Sequence, residues 1–300
     1  MRQGQFLQDQ GQFREAESKF QSALKLTERS ANSPTQQAAA LSHLATVNAD
    51  LGRMDNAAGF FDRAASILLK ARGETDPALQ TVRLELAGLY MRFGQLSRAA
   101  GLLNRVVEAQ SKGPQISSFQ MAQAWDALAC LDSLKKKFPA AEKAARRAIL
   151  VLEDVKGPGE MQLAVVSMHL ANILDSEGRT AEALAHAERA AEILERTAGM
   201  HPVIEGEALM SLALLSASSG QTDRAETMSR QAVALMERVY GPDHAYTGWT
   251  LLLRTEVLRR LKRKPEAKVA EKRARQILAG SGEVARLGGT VPVGALFPFQ

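Results

Sequence analysis

The side chains able to do chemistry are few and far apart. The 300 residues hold one cysteine, Cys130, and five histidines. A zinc protease sets two imidazoles and a carboxylate on one helix face as His-Glu-x-x-His, and no such run occurs. Neither does the Gly-x-Ser-x-Gly elbow that exposes a nucleophilic serine, a Gly-Lys-Ser/Thr phosphate loop or a Cys-x-x-Cys pair. Gly280-Ser-Gly282-Glu-Val-Ala285 imitates a dinucleotide fingerprint, but it follows a helical stretch where that fingerprint needs a strand. His201 and His244 occupy matching loop positions and read as loop structure, since no carboxylate or cysteine stands beside them at ligand spacing. Cys130 reads as a small packed or groove-facing hydrophobe, with no histidine near it in sequence to activate it. The sequence therefore predicts no enzyme, no catalytic residue, no metal site, no cofactor and no small-molecule substrate.

Composition narrows the field further. Hydrophobic residues are 45% and aromatics 5% of the chain, with Ala and Leu abundant, which suits close-packed helices better than a β-sandwich. No apolar run reaches the ~18 residues of a membrane span. The start, Met1-Arg2-Gln3-Gly4-Gln5, lacks the apolar stretch of a secretory signal. The net charge is +5, but Arg259–Arg275 alone contains nine Lys or Arg and two acids, so the rest of the chain is slightly acidic. That distribution argues against a general nucleic-acid binder. With a lone cysteine and no span, the expected location is cytoplasmic.

The elements that would position any site repeat themselves. A Gly is followed five residues later by Ala at 11/16, 52/57, 94/99, 178/183 and 220/225. Continuing the 42-residue period puts Lys136 with Ala141, and Lys262 with Ala267, in the same frame. Seven residues before each Gly or Lys stands Gly4, Ala45, Ala87, Ala129, Ala171, Ala213 or Thr255. Seven after each Ala stands Ala23, Ala64, Val106, Ala148, Ala190, Ala232 or Ala274. Self-similarity at this period means an array of stacked units. Small residues let antiparallel helices approach closely, and each Gly falls where a first helix must end in a left-handed residue. Ser33-Pro34, Asp76-Pro77, Gly113-Pro114, Gly157-Pro158, His201-Pro202 and Gly241-Pro242 mark the starts of new pairs. Ser33 and Gln36 have capping-box spacing. The pattern predicts an all-α chain of about fourteen helices, with helix pairs turning at 11, 52, 94, 136, 178, 220 and 262.

The small–x6–Gly–x4–Ala–x6–Ala frame resembles the tetratricopeptide repeat. The 42-residue period and the loops Glu195–Pro202 and Glu237–His244 resemble the kinesin light chain variety, and Tyr90 stands at the expected Tyr position. The resemblance implies a right-handed superhelical solenoid over residues 1–279, seven repeats with the first truncated, followed by a Gly- and Pro-containing tail, 280–300. It also implies that first helices line a concave groove. The groove positions in this frame include His43, Thr46, Glu85, Asp126, Met168, His169, Asn172, Met210, Leu214, Leu252 and Glu256. The polar members could bond a peptide backbone and the methionines offer adaptable pockets. The Lys/Arg/Asn set with which chaperone-binding relatives clamp a terminal carboxylate is missing.

The expected function is therefore a non-catalytic scaffold that binds a protein or peptide. Two alternatives stand beside it: the helical part of a larger signalling or enzymatic protein, and a binder of acidic partners or nucleic acid through Arg259–Arg275. The first repeat lacks about two turns of its first helix, which points to a longer chain or to self-association at that end. The apolar tail segment 290–299 resembles a peptide that such a groove could hold.

Overall fold

The structure is a computed structural model that describes residues 1–9, 12–29, 33–111, 117–153, 158–196 and 202–280. Fourteen helices and no strand occur among them. They are α1 (Arg2–Asp9), α2 (Phe13–Arg29), α3 (Pro34–Asp50), α4 (Met54–Arg72), α5 (Pro77–Arg92), α6 (Leu96–Ser111) and α7 (Ser118–Leu134). The chain continues with α8 (Phe138–Leu152), α9 (Pro158–Ser176), α10 (Thr180–Glu195), α11 (Pro202–Ser218), α12 (Thr222–Tyr240), α13 (Ala245–Arg260) and α14 (Lys264–Gly280). Odd-numbered helices are the first helices of their pairs. Four of them begin with the proline that the sequence placed at a first turn. The turn at 11, Gly113-Pro114, Gly157, His201 and the tail beyond Gly280 lie outside the described residues. No described helix is long and apolar enough to cross a membrane.

Every described turn inside a pair closes in one way. Gly52, Gly94, Gly178 and Gly220 have φ between 73° and 80°, and Lys136 and Lys262 adopt the same left-handed conformation at 57° and 60°. The amide after each donates to the carbonyl five residues back, as Arg53 to Asn48, Lys137 to Asp132 and Arg263 to Leu258. The left-handed residue's own amide donates three back, as Gly52 to Ala49 and Lys136 to Ser133. This paired closure satisfies carbonyls that a helix end leaves orphaned.

Starts of pairs are more varied. Asp76 caps α5, its Oδ1 accepting from the amides of Ala78 and Leu79 at 3.0 and 3.2 Å. His244, four periods on, caps α13 through Nδ1, 3.2 Å from the Tyr246 amide, and its ring stacks on Tyr240. The loop reading of His244 thus holds, with a defined job. The capping box expected at Ser33 does not form: its side chain makes no cap bond, with the backbone at φ −134°, ψ 63°.

The frame alanines are the packing seams. Ala16, Ala57, Ala99, Ala141, Ala183 and Ala225 are wholly buried, as are Ala45, Ala87, Ala129, Ala171 and Ala213. A Cβ on Gly4 would meet the Phe20 ring at 2.5 Å, so only glycine lets α1 approach α2 so closely. Between consecutive pairs an arginine following the left-handed turn reaches back to the glutamate beside the preceding seam alanine. Arg53 holds Glu17 at 3.0 Å, Arg179 holds Glu142 at 2.9 Å and Arg263 holds Glu226 at 2.6 Å.

Two compact units emerge, residues 1–127 and the helices from 128 onward, with the division falling inside α7. In the first, α2 packs on α3 and α4 on α5. In the second, α8 packs on α9, α10 on α11 and α12 on α13, while α11 also meets α9 and α13.

Candidate functional site

First helices carry the expected binding positions, and the structure sorts them. His43, Thr46, Glu85, His169, Asn172, Leu252 and Glu256 are half-buried and reachable. Asp126, Met168, Met210 and Leu214 are not: Met210 and Asp126 are fully enclosed, and Leu214 joins Ala213, Leu253 and Val257 in the core. The adaptable methionine pockets expected from sequence are therefore packing side chains. Met210 packs with Leu253 and Val257 of the adjoining pair, which helical periodicity within one helix cannot reveal.

A contact rule links the reachable positions. The residue just after a frame alanine meets the residue two before the next frame alanine, 39 positions on. In the second unit Cys130 Sγ lies 3.5 Å from His169 Nδ1. Asn172 and Ser211 exchange hydrogen bonds at 3.3 Å. Cys130 thus has a histidine partner after all, supplied by the neighbouring pair. The same first-helix row contains Glu207, half-buried as a residue but with its carboxyl enclosed. Burial pushes that carboxyl up to about 8, with His169 drawing it partly back.

In the first unit the row centres on Glu85. Its carboxyl bonds Ser42 of α3, and burial pushes it up to about 7 against that bond. Its Oε2 is enclosed with no partner. The other such side-chain atoms among the described residues are Asn48 Oδ1 and the hydroxyls of Ser167 and Ser216. Those three residues are buried, so Glu85 alone of the four sits at a reachable row position. Beside Ser42, His43 lies flat on Phe20, ring centres 4.8 Å apart and planes 7° apart. Burial lowers its basicity.

The basic window is largely spent on internal pairs. Arg259 and Arg275 hold Glu271 at 2.7 and 2.9 Å, Arg273 holds Glu237 at 2.7 Å, and Arg263 bridges Glu226 and Glu266. Arg260 reaches two neighbouring first helices, with Nη1 3.2 Å from Asp175 Oδ2 on α9, and 2.6 Å from Ser218 Oγ and 3.3 Å from the Leu214 carbonyl on α11. In the sequence Arg260 is only one of the nine basic residues of Arg259–Arg275. Its partners lie 42 to 85 residues away, and no local signal points to them.

The repeat geometry has a counterpart among known families. Tetratricopeptide repeat models match residues 36–112, 205–279 and 164–202, together more than half of the chain. The chain belongs to the tetratricopeptide repeat family. Among solved structures, this tetratricopeptide array resembles BtubC (BKLC) from P. vanneervenii at 20% identity and TM-score 0.64, over 76% of this chain and 92% of that one. It resembles a Rap protein complexed with Competence and Sporulation Factor at 15% identity and TM-score 0.71, over 94% of this chain and 74% of that one. It also resembles the Rap conjugation gene regulator of plasmid pLS20 in complex with the Phr* peptide, at 16% identity and TM-score 0.69, over 96% and 75%. A Podosopora anserina kinesin light chain array of nearly identical TPR-like repeats aligns at 20% identity and TM-score 0.54, over 69% and 97%. No curated protein matches the chain.

Proposed function

We propose that the chain is a non-catalytic scaffold that binds an extended segment of another protein along its first-helix rows. The observation that carries this reading is the row itself. First helices present half-buried polar side chains, His43 on α3 and Glu85 on α5 in the first unit, His169 and Asn172 on α9 in the second. An extended chain carries a donor and an acceptor at every residue, and a ladder of fixed polar groups matches it. The Rap proteins of similar fold, one complexed with Competence and Sporulation Factor and one with the Phr* peptide, support the reading. The ion pairs that occupy five arginines of Arg259–Arg275 weigh against an acidic partner there, since binding one would first have to break them.

The test is to pan a displayed library of random peptides against the full chain and measure the affinity of an enriched peptide. His43→Ala, His169→Ala and Asn172→Ala should each weaken it by about tenfold where the peptide contacts that position. Arg147→Ala and Leu150→Ala on the exposed side of α8 should leave it unchanged. Equal sensitivity at the α8 positions, or none at the row, would remove the support for this surface.

A further inference from the structure

Glu85 is an odd choice of residue for the place it occupies. A glutamine of the same shape would bring both a donor and an acceptor and no charge. Instead the chain encloses a carboxyl, gives one oxygen the Ser42 hydroxyl and leaves Oε2 without a partner. An enclosed acceptor left unmade is costly, and an ionised one more so.

Among the described residues no opposite charge acts on this carboxyl, whose acidity answers only to burial and the Ser42 bond. Arg83 on α5 turns to Glu74 at 2.8 Å, and Arg92 turns to Asp50 of α3 at 3.8 Å. On α4, Arg63 pairs with Glu28 and Arg72 with Asp76. On α6, Arg98 lies over the Tyr90 ring, 5.5 Å from its centre. His43 on α3 is pinned against Phe20 and made a weaker base by its burial. Gly88, one turn beyond Glu85 on α5, adds no side chain above it.

We infer that Glu85 is the receptor for a cationic side chain of the bound segment, a lysine ammonium or an arginine guanidinium seated between α3 and α5. This rests on the scaffold reading above and gives its ligand a chemistry. Glu207 of the second unit differs, because His169 stands close enough to supply a charge of its own. Because Oε2 is enclosed, the carboxyl would turn outward on binding to meet the ligand cation, which draws it into its ionised form in a charge-assisted contact.

The experiment uses the full chain and the displayed peptide library. Enriched peptides should share a Lys or Arg at one position. Replacing that residue by methionine should weaken binding about tenfold or more, and Glu85→Gln should cost as much. The two changes together should cost little more than either alone. The peptide-side change leaves the protein untouched, so it tests the contact even where Glu85→Gln disturbs the fold. Enriched peptides without a shared cation, or a cation whose loss adds fully to that of Glu85→Gln, would overturn the assignment and leave the scaffold reading standing. No enrichment over an unrelated helical protein would overturn both.

Discussion

Lys136 and Lys262 hold a backbone conformation that side chains with a Cβ avoid, at φ 57° and 60°. The left-handed region costs such a residue roughly 1 kcal/mol or more. Glycine, which the other turns use, escapes that cost but loses more entropy on folding. The net expectation is that Lys136→Gly raises stability by about 0.5–1 kcal/mol in urea unfolding, and Lys262→Gly likewise. An unchanged or lower midpoint would mean that the turn carries no strain. These two positions were legible in the sequence because they stand in a frame of glycines. Glu85 was legible only as a position. That it lies enclosed beside Ser42 depends on how α3 and α5 stack, 43 residues apart, and its altered acidity follows from that stacking. Its carboxyl rises from 4.5 to about 7. Between those values the folded chain keeps a proton that the unfolded chain has released. Stability should therefore fall as pH rises from about 4.5 to about 7 and stay level above. A shift of that size is worth about 3 kcal/mol at most. Glu85→Gln should flatten its share of the slope, measured as unfolding free energy against pH. An identical slope in the variant would show that Glu85 does not titrate differently in the two states.

At the scale of elements, helix ends were easier to read than helix contacts. The six described turns inside pairs close as their Gly and Lys register implies, because a left-handed residue after a helix end is a local requirement. Ser33 shows where local reading stops. Its spacing to Gln36 fits a capping box, yet α3 begins without one, while Asp76 at the next pair caps with two amides. The bridges from Arg53, Arg179 and Arg263 to Glu17, Glu142 and Glu226 join residues 36 or 37 apart. No single-helix pattern reveals them, although the frame places all three glutamates just after a seam alanine. Each such pair is partly exposed and worth about 0.5 kcal/mol. Arg260 is the stronger tie, since one guanidinium serves α9, α11 and its own helix. Arg260→Ala should lower stability by about 1 kcal/mol. It should also speed amide exchange in α11 and α13 while leaving α3 and α5 unchanged. Uniform acceleration across the chain would contradict a local clamp.

At the scale of the molecule, repetition decided the fold and left the ligand open. Seven copies of one frame specify pairs, seams and turns, because each repeat needs its neighbours to bury its apolar face. The same repetition made first-helix positions look equivalent. Packing against the neighbouring pair then buried Met210 and Leu214 and left His43, Glu85, His169 and Asn172 half-buried. The central claim is that these first-helix rows hold a bound chain. Hydrogen–deuterium exchange with and without a selected peptide tests it most directly. The account predicts slowed exchange in first helices such as α3, α5, α9 and α11, with little change in second helices such as α4, α8 and α10. Protection centred on the second helices, or on the basic window of α14, would contradict it.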